Sequence, residues 1–258
     1  MKRALQAEWT KLRTVGGTGW LLLAVVGLTV GLSAATVKAA TCDGTGCTED
    51  ITRLSLTGVY LGQAVVAVIA VLVISGEYST GMIRTTLTAV PGRTTMLAAK
   101  ATVLCGVLLV TGAVAVLGSV LAGRLILPGN GFTEAHGFAP LSLADGPTLR
   151  AATGSVLYLL LIALFSLGIA TAVRDAAAAI GIVLGLLYVF PILIHVVTDP
   201  DWQRHLQQLA PMPAGLAIQA TTGLHNLPIG PWPGLGVLAG WTAAALLAGW
   251  LRLRYADG

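Results

Sequence analysis

Charge is what this sequence has least of. Aspartate, glutamate, lysine and arginine together make up 10% of its 258 residues, against roughly 25% in a soluble domain, whose surface must be solvated by water. That shortfall excludes a soluble globular particle. It equally excludes a disordered chain or a soluble coiled coil, both of which are rich in polar sequence. Cysteine is scarce as well, with three in the chain, so no dense disulfide framework holds it together. The signatures of soluble catalysis are missing too. No Gly-Lys dipeptide occurs anywhere, and without it there is no G-x-x-x-x-G-K-[ST] loop to cradle nucleotide phosphates. Neither H-E-x-x-H nor G-x-S-x-G is present, and no catalytic residue is assigned. The histidines, His136, His195, His205 and His225, are scattered. His195 and Asp199 stand four apart, but a lone pair makes a poor metal site and an interfacial histidine is the ordinary reading. No metal site is assigned.

What is present is apolar. Hydrophobic residues reach 55% and the mean hydropathy is +0.84, so most of the surface must face lipid. A spanning helix needs about 20 predominantly apolar residues. Six segments qualify: Gly19–Val37, Leu56–Ser75, Ala101–Ala122, Ala151–Val173, Ala176–Val197 and Gly234–Leu251. They are continuously apolar rather than alternating, which predicts helices and not a barrel. The fold class expected is therefore all-α integral membrane, a six-helix bundle over residues 1–258 as a single domain. Only Arg174 and Asp175 separate the fourth and fifth spans, so these form a tight hairpin. Charged residues are absent from the middle of every span, which weighs against an ion-driven carrier or an intramembrane enzyme. Arg124 lies near a span end, where a long side chain reaches the interface.

The net charge of +4 reads as membrane topology rather than nucleic-acid binding. Ten Lys and Arg fall on the side of both termini (Lys2, Arg3, Lys11, Arg13, Arg84, Arg93, Lys100, Arg174, Arg252 and Arg254), against five on the other (Lys38, Arg53, Arg124, Arg150 and Arg204). The positive-inside rule then places both termini in the cytoplasm of a multi-pass plasma-membrane protein. The first span is too long for a signal-peptide core and is expected to stay uncleaved. Ahead of it, Met1–Thr14 sets Leu5, Trp9 and Leu12 on one helical face, as in a helix lying among lipid headgroups. The segment Gly76–Lys100 is too polar to span, and Pro91-Gly92 ends its helical pattern. On the other side, Thr198–Trp232 is broken by Pro211 and Pro213 and is expected to form one or two helices dipping into the interface. Cys42 and Cys47 share the short outer loop after the first span, where a disulfide is permitted; bonded and free thiols both remain open. Cys105 reads as a small hydrophobe. Small-xxx-small pairs at Gly27/Gly31, Gly58/Gly62, Gly181/Gly185 and Gly236/Gly240 allow close helix approach, though several such pairs arise by chance among 32 glycines.

Two stretches carry a family resemblance. The opening Ala7-Glu8-Trp9-Thr10-Lys11-Leu12-Arg13-Thr14 resembles the E-W-x-K-L-R start of bacterial ABC-2 type exporter permeases. The loop containing Glu77, Tyr78, Gly81, Arg84, Thr85, Thr86, Leu87, Pro91, Arg93 and Lys100 resembles that family's cytoplasmic coupling segment. Met82 departs from the small hydroxyl residue common there. The resemblance implies the permease subunit of a bacterial ATP-binding cassette exporter. It would work with a second permease subunit, in a homo- or heterodimer, and with two copies of a cytoplasmic ATPase that binds the ATP and Mg; this chain carries no cofactor. It further implies coupling roles for Glu77, Tyr78, Gly81, Arg84 and Thr85, and places Glu8 and Trp9 in an interfacial elbow helix. The cargo expected is an amphipathic drug, peptide or lipid-like molecule, with Thr29, Gln63, Thr111 and Ser166 as lining residues. An ion-coupled secondary transporter is the alternative, and a membrane-embedded enzyme a more distant one.

Overall fold

A computed structural model describes residues 2–14, 16–42, 47–79, 93–194 and 196–256, and their regular structure is helical throughout. Helix α1, Lys2–Thr14, precedes α2, Gly16–Ala39. A five-residue helix α3, Ile51–Ser55, leads through a turn into α4, Val59–Ser79. Helix α5, Arg93–Ile126, has 34 residues and is therefore about 51 Å long. Helix α6 runs over Gly146–Val173 and α7 over Ala176–Ile194, the latter interrupted by a π-helical turn at Gly185–Val189. Two short helices, α8 (Pro200–Leu209) and α9 (Pro211–Leu216), precede α10, Pro231–Ala256.

Six of these helices, α2, α4, α5, α6, α7 and α10, are long and apolar enough to cross a membrane. An even number of crossings puts both chain ends on one face, called the terminal end below; the opposite face is the distal end. Helix α6 lies at the centre and packs against α10, α4, α5 and α7. Its buried face carries Tyr158, Leu159, Ile162, Ala163, Phe165 and Leu167. The six spans match the runs expected from sequence with shifted ends. The third is much longer than Ala101–Ala122, because the helical ladder continues past the apolar run at both ends, over Thr94–Asn130. For the same reason Gly76–Lys100 is not one loop. Helix α4 carries Gly76–Ser79 and α5 carries Arg93–Lys100, so only the part between them connects the two.

The hairpin between the fourth and fifth spans is built by its two charged residues. Arg174 takes a left-handed conformation (φ 67°) as the C-cap of α6, and Asp175 accepts the Ala178 N–H at 2.8 Å as the N-cap of α7. The Arg174 guanidinium also donates to the Arg252 carbonyl at 3.1 Å, fastening the hairpin to α10.

At the distal end the segment before the last span turns inward. Helix α8 is amphipathic and leaves Trp202 and Leu209 exposed, whereas α9 and the 3-10 turn Ala217–Gln219 are almost wholly buried between α6 and α10. Irregular backbone is tolerated at such depth only when protein surrounds it. The elements dip as the prolines predict, but α9 enters the bundle instead of resting at the interface.

One carboxylate holds this re-entrant piece in place. Asp50 N-caps α3 through the Arg53 N–H at 3.0 Å and accepts from the backbone N–H groups of Thr221 and Thr222. It also accepts the Thr221 hydroxyl at 2.7 Å. Just upstream, Cys42 and Cys47 are joined by a disulfide with their Cα atoms 6.1 Å apart. The Asn130 side-chain amide donates to the Val37 carbonyl at 2.8 Å and the Asn130 backbone carbonyl accepts the Cys42 N–H at 2.9 Å, so the end of α2, the α5 exit and the two bonded cysteines form one small knot.

Candidate functional site

The terminal end carries the features to which sequence reasoning attached function, and it holds one arrangement that reasoning did not foresee. Helix α1 packs along the start of α5. Its most buried described side chain is not an apolar one. Glu8 is 7% exposed while Trp9, one residue on, is 49% exposed. Glu8 faces Lys100, whose ammonium lies 2.8 Å from Oε2 and is 1% exposed. Lys100 also donates to the Val73 carbonyl of α4 at 3.4 Å. Lys11, one turn along α1, holds the other carboxylate oxygen at 3.3 Å. Three helices thus meet at one point: the elbow helix α1, the last turns of α4 and the first turns of α5.

The pairing follows from local sequence. In α1 the spacing of three between Glu8 and Lys11 puts both on one face. In α5, Lys100 begins the apolar run, and its long stem is buried where α1 covers the helix. Neither charge would be held out of water alone, since burying an unpaired ion costs several kcal/mol. Together they make a directional bolt between α1 and α5. Sequence analysis named Glu8 for the elbow and Lys100 for the coupling segment without joining them. The available signal was a lone acid in a basic segment and a lone base opening an apolar run.

The other residues expected at this end divide into two groups. Glu77 and Tyr78 lie in the last turn of α4, with their side chains outside the description. Gly81, Arg84 and Thr85 fall outside the described residues, as does His195. Among the described residues no cluster of three or more His, Cys, Asp and Glu groups can hold a metal.

Inside the bundle a polar seam runs through the distal half. The Tyr158 hydroxyl of α6 donates to the Gln63 side-chain carbonyl of α4, and the Gln63 amide nitrogen lies 3.4 Å from the Met212 sulfur of α9. Gln219 donates to the Ser155 hydroxyl at 3.1 Å. Tyr188, within the π-helical turn of α7, donates to the Tyr60 backbone carbonyl. With no water in hydrocarbon, these groups bond inside the protein, and they pin the re-entrant segment to α4 and α6. Gln63, Thr29 and Ser166, expected to line a pathway, are fully buried within this one chain. They are packing residues here: Ser166 bonds its own helix at the Ile162 carbonyl, and Thr29 packs against Gly62. Thr111, the fourth of them, is half-buried and bonds the Val107 carbonyl.

A family model for ABC-2 family transporter proteins matches residues 4–197. That stretch contains all but the first two residues of α1, the first five spans, the Glu8–Lys100 bolt and the connection between α4 and α5. No curated protein matches the chain.

Proposed function

The chain belongs to the ABC-2 family of transporter proteins and is a multi-pass membrane protein, and from that membership we propose that it is the permease subunit of an ATP-binding cassette exporter. Members of this family work with an ABC ATPase. In this reading two permease subunits form the pathway, and two copies of a separate ATPase bind ATP and Mg and dock at the terminal end. The absence of a phosphate-cradling loop from the sequence fits that division of labour. The cargo is an amphipathic drug, peptide or lipid-like molecule moved out of a bacterial cytoplasm.

The observation that carries the mechanism is the bolt. Force delivered at the connection between α4 and α5 reaches the start of α5, and about two turns in Lys100 joins that helix to Glu8 of α1 and to the Val73 carbonyl of α4. A packed helix pair moves as a unit rather than deforming. Displacement of that connection is therefore passed to two spans and the elbow helix together. An ion-coupled carrier is less favoured, because the buried charged side chains among the described residues are Glu8 and Lys100, at the edge of the span and not in its middle.

Two experiments test this reading. Glu77→Ala and Arg84→Ala are expected to leave the chain folded and inserted, since a contact at the rim of a docking surface contributes only about 1 kcal/mol. Substrate-stimulated ATP hydrolysis, measured in vesicles with the partner ATPase, should fall. Wild-type stimulation in the double variant would remove this connection from the coupling path. The orientation rests on the ten-to-five basic asymmetry. Reporter fusions at Gly258 should read cytoplasmic and at Gly129 external, and an external Gly258 would invert the topology.

A further inference from the structure

Beside the Asp50 clamp, at the distal end, lies an open cleft of about 570 Å³, within the ~300–1,000 Å³ range of small-molecule sites. Its walls come from the entry to α3 and from the segment that follows the re-entrant turn. Glu49, Arg53, Thr48, Asn226, Leu54 and Leu227 face it. The cleft is a built one. Asp50 forms its back and is saturated by the N–H groups of Arg53, Thr221 and Thr222 and by the Thr221 hydroxyl, so the two walls are fixed relative to each other. The disulfide holds the incoming strand of chain three residues before Asp50. Gly223 turns the opposite wall in a left-handed conformation (φ 60°), with only the Asn226 amide near its Cα substituent position.

The charges left over define what fits. Asp50 is spent on the clamp. The Glu49 carboxylate and the Arg53 guanidinium have no ionic or side-chain hydrogen-bonded partner among the described residues, and they lie four positions apart on the same wall. A site for a simple cation would not present a guanidinium, and one for a simple anion would not present a carboxylate. Both signs on one wall, beside hydroxyl and amide groups, match a ligand with an anion and a cation a few bonds apart. Leu54 and Leu227 add an apolar floor. The depth adds a further constraint. Helix α3 passes through one turn into α4, whose membrane-spanning stretch begins at Val59, so Leu54 and Thr57 sit at the level where hydrocarbon gives way to headgroups.

We propose that this cleft binds a phosphate-and-ammonium zwitterion of the phosphoethanolamine type. Arg53 holds the phosphate with the fork geometry that suits it, Glu49 accepts from the ammonium, and Leu54 and Leu227 take the first methylene groups of an attached acyl stem. The site stands apart from the exporter reading, because binding is read on the purified chain without ATPase or transport.

The test uses the full chain in detergent, titrated with dihexanoyl phosphatidylethanolamine, dihexanoyl phosphatidylglycerol and stemless glycerophosphoethanolamine, and followed by native mass spectrometry. Saturable one-to-one binding of the ethanolamine lipid, tighter than that of the glycerol lipid, is expected. Arg53→Gln should weaken both lipids by about tenfold or more, as the loss of a charge-assisted contact does. Glu49→Gln should abolish the preference for ethanolamine while leaving the glycerol lipid unchanged. Both side chains are exposed, and an unfolding midpoint equal to wild type confirms that each variant is intact. Glycerophosphoethanolamine binding as tightly as the lipid supports the zwitterion site and assigns its ligand to solution rather than bilayer. Equal binding of the two lipids to wild type, or insensitivity to both substitutions, overturns the proposal.

Discussion

Glu8→Leu should destabilise the chain by about 3–5 kcal/mol, the usual cost of removing one partner from a buried ion pair. The reason is geometric. Lys100 is 1% exposed, and the Glu8 carboxylate 2.8 Å away supplies it with a compensating negative charge. Lys100→Met should cost less. Glu8 then keeps Lys11 at 3.3 Å, whose side chain is 35% exposed and brings the pair towards water. The double variant Glu8→Leu/Lys100→Met should return close to wild-type stability, because a well-packed apolar replacement of a buried pair is often neutral or better. Reversible unfolding in mixed micelles measures all three. If the bolt serves transmission as well as folding, the double variant should fold normally and still show reduced substrate-stimulated ATP hydrolysis. Equal destabilisation by Glu8→Leu and Lys100→Met would show that Lys11 does not shelter the carboxylate. Full function in a stable double variant would show that the bolt is structural alone.

Gly58→Ala is the second large effect. A Cβ there would lie 1.7 Å from the Thr29 carbonyl oxygen and 2.7 Å from the Ser33 hydroxyl. That oxygen belongs to the backbone of α2 and cannot rotate away, so α2 and α4 would have to separate. The Gly58 N–H also donates to the Ser33 hydroxyl at 3.0 Å, and that bond would stretch with them. Overpacking of this kind costs about 3 kcal/mol or more when backbone must move. Gly62→Ala meets the Thr29 hydroxyl at 2.2 Å, a rotatable group, and should cost less. The matching controls are Gly27→Ala, Gly31→Ala and Gly181→Ala, where nothing lies within 4 Å. These should be neutral, or stabilising by up to about 1 kcal/mol from helix propensity alone. Unfolding midpoints that fail to separate Gly58→Ala from Gly27→Ala would contradict the close α2–α4 approach.

That contrast marks where sequence reading stops. Four small-xxx-small pairs look alike as strings, yet of their eight glycines only Gly58 and Gly62 meet a neighbouring helix within this chain. Which face of a helix meets a neighbour depends on the whole bundle, and the pattern within one span does not encode it. The spans themselves were legible because hydropathy averages over about 20 residues, and one charged residue at an end does not disturb the sum. The Arg174-Asp175 hairpin was legible because nothing else fits between two apolar runs. Gln63 and Ser166 were read as lining a pathway since a polar residue in a span usually faces something polar. Here the polar partner of Gln63 is Tyr158 of the same chain, 95 positions away. The Glu8–Lys100 pair escaped for the same reason, its members standing 92 positions apart.

The Asp50 clamp also sets a calendar. Its two halves are separated by 171 positions, and at synthesis rates of roughly 5–20 residues per second the second half emerges about 10–30 s after the first. For that interval Asp50 has its α3 cap and water as partners, and a carboxylate in need of water cannot sink into the bilayer. The first helical hairpin is thus held at a fixed depth while the next three spans are inserted. When Thr221 and Thr222 arrive, they take over from water, and the re-entrant segment slots into a groove the earlier helices have already shaped. The last span then closes over it, so the order of translation is written into the lock that finishes assembly.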